Sequence, residues 1–324
     1  MFHRKVSIII VTYNGLQRAT IPCLERLFCE TDNSDYEVIV VDNNSTDGTS
    51  LYLQELACRE PRLKVVLNSI NRGFSGGNND ALQNAQGDII VLLNNDTLVT
   101  KGWLTRIVDT LTGDPSVGMV GPVTNSAGNE QNIFITASSA EEILSEGILW
   151  TQKGSKDCFA TEKLCFFCVA FRRNLLEAVG MLDEAFGLGF YEDDDYCIRV
   201  KKAGYSLKCL EDVFVFHQGG ATFNSFPRKT RELLKRNKRL LESKHGITYF
   251  QAHPRDRQLD LIESYLDRLE ANGFDESIWY RVVNRFNLAK TLQPKGILKK
   301  LRFFRRMRHV KNRARTFDTQ EEMS

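Results

Sequence analysis

The length, composition and charge of this chain are those of an ordinary globular protein. Its 324 residues are 42% hydrophobic and 26% charged, which allows one large domain with a sizeable core. No apolar run approaches the roughly 20 residues that cross a bilayer. The run at 6–11 is also shorter than the apolar core of about 7–15 residues in a secretory signal. We therefore expect a cytoplasmic protein.

The first half of the chain alternates between apolar runs and helical patterns. The apolar runs are "VSIIIVT", "YEVIVVD", "LKVVLN", "DIIVLLN" and "VGMVGPV". Continuous runs rich in β-branched residues are typical of strands buried on both faces, as in a parallel sheet. Strands that alternate with helices are typical of βαβ units. The sequence therefore predicts an α/β fold with a sheet flanked by helices.

The second half of the chain is less regular. Residues 124–164 are polar and weakly patterned, so we expect an insertion or mobile loops there. Beyond them we predict a strand at 165–171, helices at about 174–179 and from Glu192, strands in "YSLKCLE" and "VFVFH", and helices from Pro227 onward.

Eight cysteines do not make a disulfide scaffold in a chain of this length. Cys165 and Cys168 form one C-x-x-C, but no second pair completes the spacing of a zinc site. We interpret "LCFFCVAF" as a buried strand in which both thiols pack as small apolar groups.

The ends of the predicted strands are the positions where a ligand is expected, because open α/β sheets bind ligands beyond the carboxyl ends of their strands. All four ends are polar: Thr12-Tyr13-Asn14, Asp42-Asn43-Asn44-Ser45, 68–71 and Asn94-Asn95-Asp96. Asp42 suits a hydrogen bond from the imide N–H of uracil or thymine. An Asx-turn or a helix cap explains the same aspartate equally well.

The stretch "NRGFSGGNNDAL" at 71–82 places three glycines ahead of a helix. Such a segment directs backbone N–H groups and the positive end of a helix towards an anion, and Arg72 adds a cation. Glycines alone are a weak signal, so ligand binding and a plain loop remain alternatives.

Two later motifs carry titratable side chains. "FYEDDDYCIRV" contains four consecutive acids, Glu192 to Asp195. Asp195 and Arg199 have the i,i+4 spacing that pairs them on one helix face, which leaves Asp193 on another. "VFVFHQGGATF" places His217 at the end of an apolar strand, where it is either a structural histidine or a metal ligand that faces Asp96.

Taken together, these motifs resemble those of the family 2 glycosyltransferases, which use nucleotide sugars and have the glycosyltransferase A fold. The likeness covers roughly residues 5–223 and includes "IIVLLNNDTLVTKGWL", "RRNLLEAVGMLDEAF" and "YEDDDYCIRVKKAGY". It is closest to bacterial rhamnosyltransferase-like members that build surface polysaccharides. The resemblance implies a Rossmann-like, nucleotide-binding mixed sheet flanked by helices. The implied domains are a catalytic domain at 1–223, divided into a nucleotide-sugar half (1–123) and an acceptor half (124–223), and a helical extension at 224–324.

The resemblance also assigns roles to individual residues. Asp96 and His217 would bind a divalent metal, Mg²⁺ or Mn²⁺, and Asp193 of the Glu192-Asp193 pair would be the general base. Thr12, Asp42 and Asn71 would line the nucleotide site, with Asp42 near the base. Further polar or glycine positions of these motifs assigned to the nucleotide-sugar site are Tyr13, Asn14, Asn44, Arg72, Gly76, Asn79 and Asn95. Asn94 departs from the acidic first position of the D-x-D element, and "FCVAF" lacks the glycine commonly found before the Arg-Arg pair.

The reaction implied is an inverting transfer of a sugar, rhamnose being one candidate, from a dTDP- or UDP-linked donor. GDP remains an alternative nucleotide, and the acceptor is a hydroxyl of a glycan or a lipid-linked glycan. Because Asn94 removes one negative charge, we expect the cation to bind mainly as a metal–nucleotide complex. Two other classes remain open: a non-catalytic nucleotide-sugar-binding or scaffold protein, and a sugar-nucleotide nucleotidyltransferase. For the last class, "TYNGLQR" lacks the expected Gly-rich loop with a catalytic Lys or Arg.

The segment 295–315 is a separate electrostatic feature, with ten Lys/Arg and no Asp/Glu. The whole chain has a net charge of +2, so everything outside this segment has a net charge of −8. Helical spacing places Ile297, Leu301, Phe304 and Met307 on one side and Lys299, Arg302, Arg306 and Arg313 on the other. This pattern predicts an amphipathic helix on an anionic membrane surface. A solvated or partner-binding tail and a nucleic-acid patch are the alternatives.

Overall fold

The computed structural model describes residues 5–31, 35–153, 157–219 and 227–318, and for 227–229 only the backbone. The predicted domain boundary at 223/224 and the last residues of the "VFVFHQGGATF" motif lie outside these ranges. Nine strands are described: β1 Val6–Thr12, β2 Tyr36–Asp42, β3 Leu63–Leu67, β4 Ile89–Asn94, β5 Thr97–Val99, β6 Val117–Val123, β7 Cys158–Ala160, β8 Cys168–Arg172 and β9 Ser206–His217.

The helices of the described residues flank the sheet or form the C-terminal part. They are α1 Ile21–Glu30, α2 Thr49–Ala57, α3 Gly73–Asn84, α4 Trp103–Gly113, α5 Ala140–Gln152, α6 Leu175–Val179, α7 Glu192–Lys202, α8 Pro227–His245, α9 Pro254–Asn272, α10 Glu276–Thr291 and α11 Ile297–Ala314. No helix in the described ranges is both long enough and apolar enough to cross a bilayer.

The strands form one mixed sheet in the order β3-β2-β1-β4-β8-β6-β9-β5, with β7 paired to β9. The first four strands of this order are parallel, whereas β8 runs antiparallel to both of its neighbours. The α/β architecture predicted from the apolar runs is therefore confirmed. Because β1, β2 and β4 are parallel, their polar carboxyl ends meet at one edge of the sheet.

Helices on both sides of the sheet explain why its strands are apolar at successive positions. Ile8 packs in one core with Leu24 of α1 and other residues, while Ile9 packs in a second core with Leu82 of α3 and Tyr196 of α7. Burial of one such aliphatic side chain contributes about 1.5–3 kcal/mol. The two cores hold the strand ends in fixed positions.

The polar region 124–164 is more ordered than we predicted. It contains α5, whose N-cap Ser139 accepts a hydrogen bond from Glu142 N–H, and the short strand β7. The strand predicted at 165–171 begins only at Cys168, so Cys165 lies just before it and is half-buried. The two strands predicted in "YSLKCLE" and "VFVFH" are one continuous strand, β9.

The C-terminal helices pack on the sheet through a buried charge cluster. Glu211 of β9 is only 1% exposed and accepts hydrogen bonds from Tyr265 of α9 and from Arg285 of α10. The Nε of Arg281 lies 3.2 Å from the same carboxylate. The helices α9 to α11 share a core of their own, and the Glu211 cluster connects them to the strand that ends at His217.

Candidate active site

The end of β1 is joined to the segment between β4 and β5 by hydroxyl and amide groups. The hydroxyl oxygens of Thr12 and Thr20 lie 2.8 Å apart, and the Asn95 amide donates to them at 3.1 and 3.2 Å. Thr12 is also the register partner of Asp42 in the β1–β2 ladder. Three predicted site residues are therefore adjacent, and the Asn95 side chain is already engaged in holding this edge together.

The loops after β1 and β2 are also connected to each other. Asn14 has a φ of 57°, donates its N–H to Ser45 Oγ at 2.8 Å and accepts from Thr46 N–H at 2.8 Å. Asp42 is 1% exposed and accepts hydrogen bonds from the hydroxyls of Ser45 and Ser50. Asp42 also accepts from Ser45 N–H at 3.2 Å, three residues on and not the two of an Asx-turn, so its contacts in this structure are with the loop and helix that follow β2. Exposed side chains at the same edge are Tyr13 and Asn44.

The glycines of "NRGFSGGNNDAL" are explained by packing. The helix α3 begins at Gly73, so the two following glycines lie in its first turns. A Cβ at Gly77 would lie 2.7 Å from Val11 Cγ1, and a Cβ at Gly76 would lie 2.8 Å from the Cβ of Arg72. Such distances are shorter than van der Waals contact, so these positions require glycine whether or not an anion binds.

The polar residues of the same motif connect α3 to the segment after α6. The Oδ1 of Asn71 accepts from Gly73 N–H at 2.8 Å and so forms an Asx-turn just before the helix. Arg72 forms ion pairs with Asp80 and with Glu184. Both partners are carboxylates, so in this structure the Arg72 guanidinium is engaged within the protein.

Asn79 makes a similar connection. Its Nδ2 donates to Leu182 O at 2.9 Å and to Glu184 Oε1 at 3.0 Å, and its Oδ1 accepts from Leu182 N–H at 3.1 Å. The residue is 5% exposed. Asn79 therefore fixes the position of the second half of the chain relative to the first.

Asp96 and His217 are brought together by the pairing of two strands that are distant in the chain. The strand β5 pairs antiparallel with the end of β9, so that Thr97 opposes His217. Asp96 Oδ1 then lies 3.4 Å from His217 Nε2, and the side chains are 14% and 17% exposed. The sequence motifs left two alternatives for His217, a structural histidine or a metal ligand that faces Asp96. The observed contact is the arrangement that the second alternative requires.

The other contacts of His217 fix the orientation of its ring. Its Nδ1 lies 2.9 Å from the carbonyl of Ser126, so Nδ1 carries the proton and Nε2 faces Asp96. The Phe167 ring stacks on the imidazole with centroids 5.2 Å apart. Burial disfavours the imidazolium, but the Asp96 carboxylate and the Ser126 carbonyl outweigh burial and raise the pKa of His217.

The donor set of this pair fits a divalent cation. The carboxylate oxygen suits Mg²⁺ or Mn²⁺, whereas the imidazole nitrogen is more typical of transition-metal sites and so favours Mn²⁺ of the two. A carbonyl that accepts from the far ring nitrogen is typical of metal-binding histidines. In the part of the chain that the structure describes, no group of three or more His, Cys, Asp or Glu side chains is placed to hold a metal. Among the described His, Cys, Asp and Glu side chains, the candidate metal ligands here are therefore these two.

The acidic run at the start of α7 contains one purely structural member. Asp195 is fully buried and accepts from Arg199 Nε at 2.9 Å, which is the predicted i,i+4 pair. Its other oxygen lies 2.7 Å from Lys244 Nζ and 2.8 Å from His245 Nε2. Asp195 therefore connects α7 to the end of α8.

Asp193 and Asp194 share the ammonium group of Lys163. The Nζ lies 3.4 Å from Asp193 and 2.8 Å from Asp194, whose side chains are 17% and 5% exposed. Burial alone would lower the pKa of Lys163, but the two carboxylates raise it. Burial and the neighbouring Asp193 raise the pKa of Asp194 to about 6, although Lys163 opposes the shift. Asp193 is thus the member of this pair that is open to a substrate.

Glu192 is the acid of this run whose charged form is least favoured by its surroundings. It is 8% exposed, and its Oε2 has no hydrogen-bond partner among the described residues. Burial, followed by the charge of Asp193, raises the pKa of Glu192 to about 8. At neutral pH this side chain is therefore mostly protonated and neutral.

The backbone that leads into these acids adopts an unusual conformation. Phe190 and Tyr191 both have a φ of 72°, in the left-handed region that bulky residues rarely occupy. Such strain, about 1–3 kcal/mol for each residue, concentrates at functional sites. Here it positions the first turn of α7.

The Asp96–His217 pair and the acidic cluster both contact one short segment. Lys163 contacts Asp193, and Phe167 stacks on His217. Four residues of extended chain span at most about 14 Å. The two ends of the segment 163–167 therefore lie at most about 14 Å apart, one beside the acidic cluster and the other beside the Asp96–His217 pair.

Sequence motifs alone did not identify several of these contact residues. Ser126 and Lys163 fall in the region 124–164 that we predicted as loops, where no periodic pattern is present. Phe167 appeared only as part of an apolar strand. The one available signal was the position of Lys163, a single cation next to an apolar run that was predicted to be buried.

Comparison with known proteins identifies the family. A profile of the Glycosyl transferase family 2 matches residues 7–180, more than half of the chain. The chain belongs to glycosyltransferase family 2. The match includes Asp42 and Asp96 but ends before Asp193 and His217, so the roles of these last two residues in this family 2 chain depend on the geometry described above.

Two curated relatives illustrate the similarity within family 2. The chain is 28% identical over 214 residues to the glycosyltransferase AglE of Haloferax volcanii, which covers 65% of this chain and 66% of AglE. It is 29% identical over 221 residues to the beta-monoglucosyldiacylglycerol synthase of a Nostoc species, covering 67% of this chain and 45% of the synthase. The chain therefore spans two thirds or less of the length of these relatives.

A solved structure supports the fold assignment. The mannosyltransferase PcManGT from Pyrobaculum calidifontis, in complex with GDP-Man and Mn²⁺, superposes with a TM-score of 0.51 at 19% identity. The alignment covers 99% of this chain and 78% of the mannosyltransferase. The predicted fold class, a glycosyltransferase A-type mixed sheet with a helical C-terminal extension, is confirmed.

Proposed function

We propose that this protein is a metal-dependent, inverting glycosyltransferase. It transfers a sugar from a nucleoside-diphosphate sugar to a hydroxyl of a glycan or a lipid-linked glycan. The observation that carries the proposal is the pairing of Asp96 with His217 across the short β5–β9 ladder, with their side chains 3.4 Å apart. Membership of family 2 supports the same class of reaction, as do the names of both relatives.

The proposed donor is a dTDP- or UDP-linked sugar, with rhamnose as the first sugar to test, used in the assembly of a surface polysaccharide. Residues 1–123 would supply the donor side and 124–223 the acceptor side of the catalytic domain. The Asp42 carboxylate accepts from Ser45 N–H and from the hydroxyls of Ser45 and Ser50, so an imide N–H of uracil or thymine would compete with these groups for the carboxylate. GDP is the alternative nucleotide, as in the PcManGT complex.

Asp96 and His217 would hold the Mg²⁺ or Mn²⁺ ion. When bound, such an ion neutralises the negative charge that develops on the departing diphosphate. Asn94, the last residue of β4, supplies no charge to this site. With two protein ligands, we propose that the cation is held tightly only when the oxygens of the donor diphosphate accompany it.

Asp193 would act as the general base. The acceptor oxygen forms a bond to C1 of the sugar while the C1–O bond to the diphosphate breaks, and the leaving group takes the bonding electrons. The proton of the acceptor hydroxyl passes to the Asp193 carboxylate, which Lys163 orients from 3.4 Å away. A base on the side opposite the leaving group gives a single displacement with inversion at C1.

The donor and the metal are tested together by thermal unfolding. Ligands that bind only the folded state raise its melting temperature, so UDP, dTDP and GDP are each compared with and without Mn²⁺. We expect one nucleotide to raise the melting temperature strongly only when Mn²⁺ is present, and His217→Ala to lose this rise. An equal rise with Mn²⁺ alone would contradict the two-ligand site.

Catalysis is tested by the release of nucleoside diphosphate from the donor identified in this way. Asp193→Asn should lose about 10²–10⁴-fold in rate and still bind the donor, whereas Asp109→Asn, an exposed change on α4, should behave like the wild type. Equal rates for Asp193→Asn and the wild type would exclude Asp193 as the base. Binding without turnover would favour the non-catalytic alternative. Conversion of the donor and added pyrophosphate into a nucleoside triphosphate and a sugar 1-phosphate would favour a nucleotidyltransferase.

A further inference from the structure

The exposed side of α11 carries a stripe of apolar side chains. Ile297, Leu298, Leu301 and Phe304 expose 79%, 82%, 62% and 49% of their surfaces. Their spacing of i, i+1, i+4 and i+7 places them on one side of the helix. Single exposed apolar residues are common, but four neighbours on one helix face indicate an interaction site.

Exposed basic side chains accompany this stripe. They are Lys299, Lys300, Arg302, Arg305 and Arg308. The segment 295–315 contains no acid, while the rest of the chain is net negative. The positive charge is therefore concentrated beside the exposed apolar residues, which is the pattern of helices that lie in the interface of an anionic bilayer.

The opposite side of α11 is already occupied by the protein. Phe303, Met307 and Val310 are buried in the core that α11 shares with α9 and α10. The apolar set predicted from the sequence is thus divided, since Met307 packs inside while Ile297, Leu301 and Phe304 remain exposed. The helix is held in place by one face and presents the other to solvent.

Ion pairs fix the direction of α11 on α9. Arg306 donates to Glu263 at 2.9 Å and Arg313 donates to Glu270 at 2.9 Å. The offset in residue number is the same for both pairs, so the two helices run parallel. The start of α11, where the apolar stripe lies, is therefore beside the start of α9.

The segment just before α9 extends the exposed surface towards the candidate active site. Phe250 is 85% exposed at this end of the helix pair. A cavity of about 510 Å³ lies under the same segment and is lined by Tyr249, Phe250, Lys163 and Asp194, among others. Lys163 also lies 3.4 Å from Asp193, so the cavity reaches from this surface to a side chain that contacts the candidate base.

We propose that this face docks on an anionic lipid bilayer. The docking face consists of the apolar residues Phe250, Ile297, Leu298, Leu301 and Phe304 and the basic residues Lys299, Lys300, Arg302, Arg305 and Arg308. The apolar side chains enter the boundary between headgroups and acyl chains, and the basic side chains bind the anionic headgroups. Docking is independent of the chemistry at Asp193. Docking would bring the cavity close to a lipid-linked acceptor, and this consequence rests on the proposed function.

The composition of the docking face favours a membrane over other occupants. A second copy of the chain would bring two strongly basic surfaces together, which is electrostatically unfavourable. A nucleic acid would use the basic residues but would leave the exposed side chains of Leu298 and Leu301 without an apolar partner. A bilayer with anionic lipid satisfies both kinds of side chain.

The first experiment tests the apolar stripe by co-sedimentation of the full chain with vesicles. Wild type should sediment with vesicles of equal parts phosphatidylcholine and phosphatidylglycerol. Leu298→Asn with Leu301→Asn should lower the partition constant about tenfold or more, because two leucine side chains no longer leave water. The matched control is Leu51→Asn with Leu149→Asn, since those leucines are 63% and 53% exposed elsewhere, and it should sediment like the wild type.

The second experiment tests the charge. The double variant Arg305→Gln/Arg308→Gln should weaken sedimentation with the same vesicles. The control variant Arg59→Gln/Lys101→Gln removes the same charge from other exposed positions and should sediment like the wild type. Added salt should weaken binding of the wild type, because it screens exposed charges. Vesicles of phosphatidylcholine alone should capture much less protein.

The outcomes separate docking from catalysis and from other partners. No sedimentation of the wild type with anionic vesicles, or equal sedimentation of all four variants, would overturn the proposal. So would dimerisation in solution that Leu298→Asn with Leu301→Asn abolishes, or binding of duplex DNA in preference to vesicles. Release of nucleoside diphosphate with a water-soluble acceptor should be unchanged in these variants, so a failed docking test would leave the proposed reaction standing.

Discussion

The four acids from Glu192 to Asp195 are chemically alike but lie in different surroundings. Asp195 forms ion pairs with Arg199 and Lys244 and lies 2.8 Å from His245 Nε2. Asp194 pairs with Lys163 and with the hydroxyl of Tyr249. Glu192 is buried with one oxygen unpartnered. Asp193 shares Lys163 and has the most exposed side chain of the three aspartates. Protein context, more than residue type, thus decides which of the four acids is charged, which is paired and which is accessible.

Glu192 gives a prediction on the pH dependence of stability. Its pKa is raised from 4.5 to about 8 in the folded state, so the folded protein binds the proton more tightly than the unfolded chain. The resulting stabilisation is complete below pH 4.5 and is lost as the pH rises through about 8. Glu192→Gln should remove this loss and flatten the pH dependence of urea unfolding between these values.

The control for this prediction is Glu177→Gln, an exposed position on α6, which should keep the pH dependence of the wild type. The groups that face Glu192 are Asp193, Asp194 and Lys163. If Glu192→Gln and the wild type lost stability in parallel as the pH rises, the neutral state assigned to Glu192 would be wrong.

Among the elements, α3 shows how a motif attributed to a ligand also follows from packing. Gly73 has a φ of 71°, and the next two glycines let the helix approach β1 and the side chain of Arg72 closely. The same glycines are compatible with a nucleotide-sugar site. Close packing of the helix on its neighbours and close approach of the backbone to a phosphate both require glycine. The motif alone therefore does not distinguish the two roles.

Gly77→Ala tests the packing role. The added Cβ would lie 2.7 Å from Val11 Cγ1 and 3.1 Å from Asn43 Nδ2, so we expect a loss of about 1–3 kcal/mol in the free energy of unfolding by overpacking. Gly113→Ala is the control, because a Cβ there meets nothing within 4 Å. Urea unfolding measures both, and equal stability of the two variants would argue against close packing of α3 on β1.

Other elements show what the sequence could and could not predict. Continuous apolar runs predicted β1, β2, β4 and β6, because burial on both faces leaves a local signal. The helix α5 was missed because its apolar residues are interrupted by Glu and Ser. The strand β9 was divided in two because Glu211-Asp212 breaks its pattern, and Glu211 is neutralised by arginines of a helix that lies far along the chain. Likewise, the contact of Asp96 with His217 depends on strand pairing that no local pattern contains.

At the scale of the whole molecule, Glu211 connects the sheet to the C-terminal helices. The carboxylate is 1% exposed and faces Arg281 and Arg285, which are 1% and 0% exposed. Removal of the negative partner would leave the buried guanidinium of Arg285 without its carboxylate and leave Arg281 with Asp157 alone among the described acids, 3.6 Å away. Glu211→Gln should therefore lower the free energy of unfolding by about 3–5 kcal/mol, as measured with urea.

A surface pair provides the comparison for Glu211. Glu276 is 82% exposed and lies 3.6 Å from Lys153, so Glu276→Gln should change the free energy of unfolding by at most about 1 kcal/mol. If Glu211→Gln were equally mild, the C-terminal helices would be held to the sheet mainly by apolar packing, and the arginine cluster would contribute little.

The strand β5 has a consequence for local stability. It is three residues long, lies at the edge of the sheet and contacts β9 through three residue pairs. Short edge segments open with a lower free energy than the rest of a fold, so amide hydrogens of 97–99 and 215–217 should exchange sooner than those of β1. A metal–nucleotide complex held by Asp96 and His217, as proposed above, would stabilise the pairing of β5 with β9. Its binding should therefore slow hydrogen exchange most at the sheet edge, where mass spectrometry of the exchanged peptides would detect it.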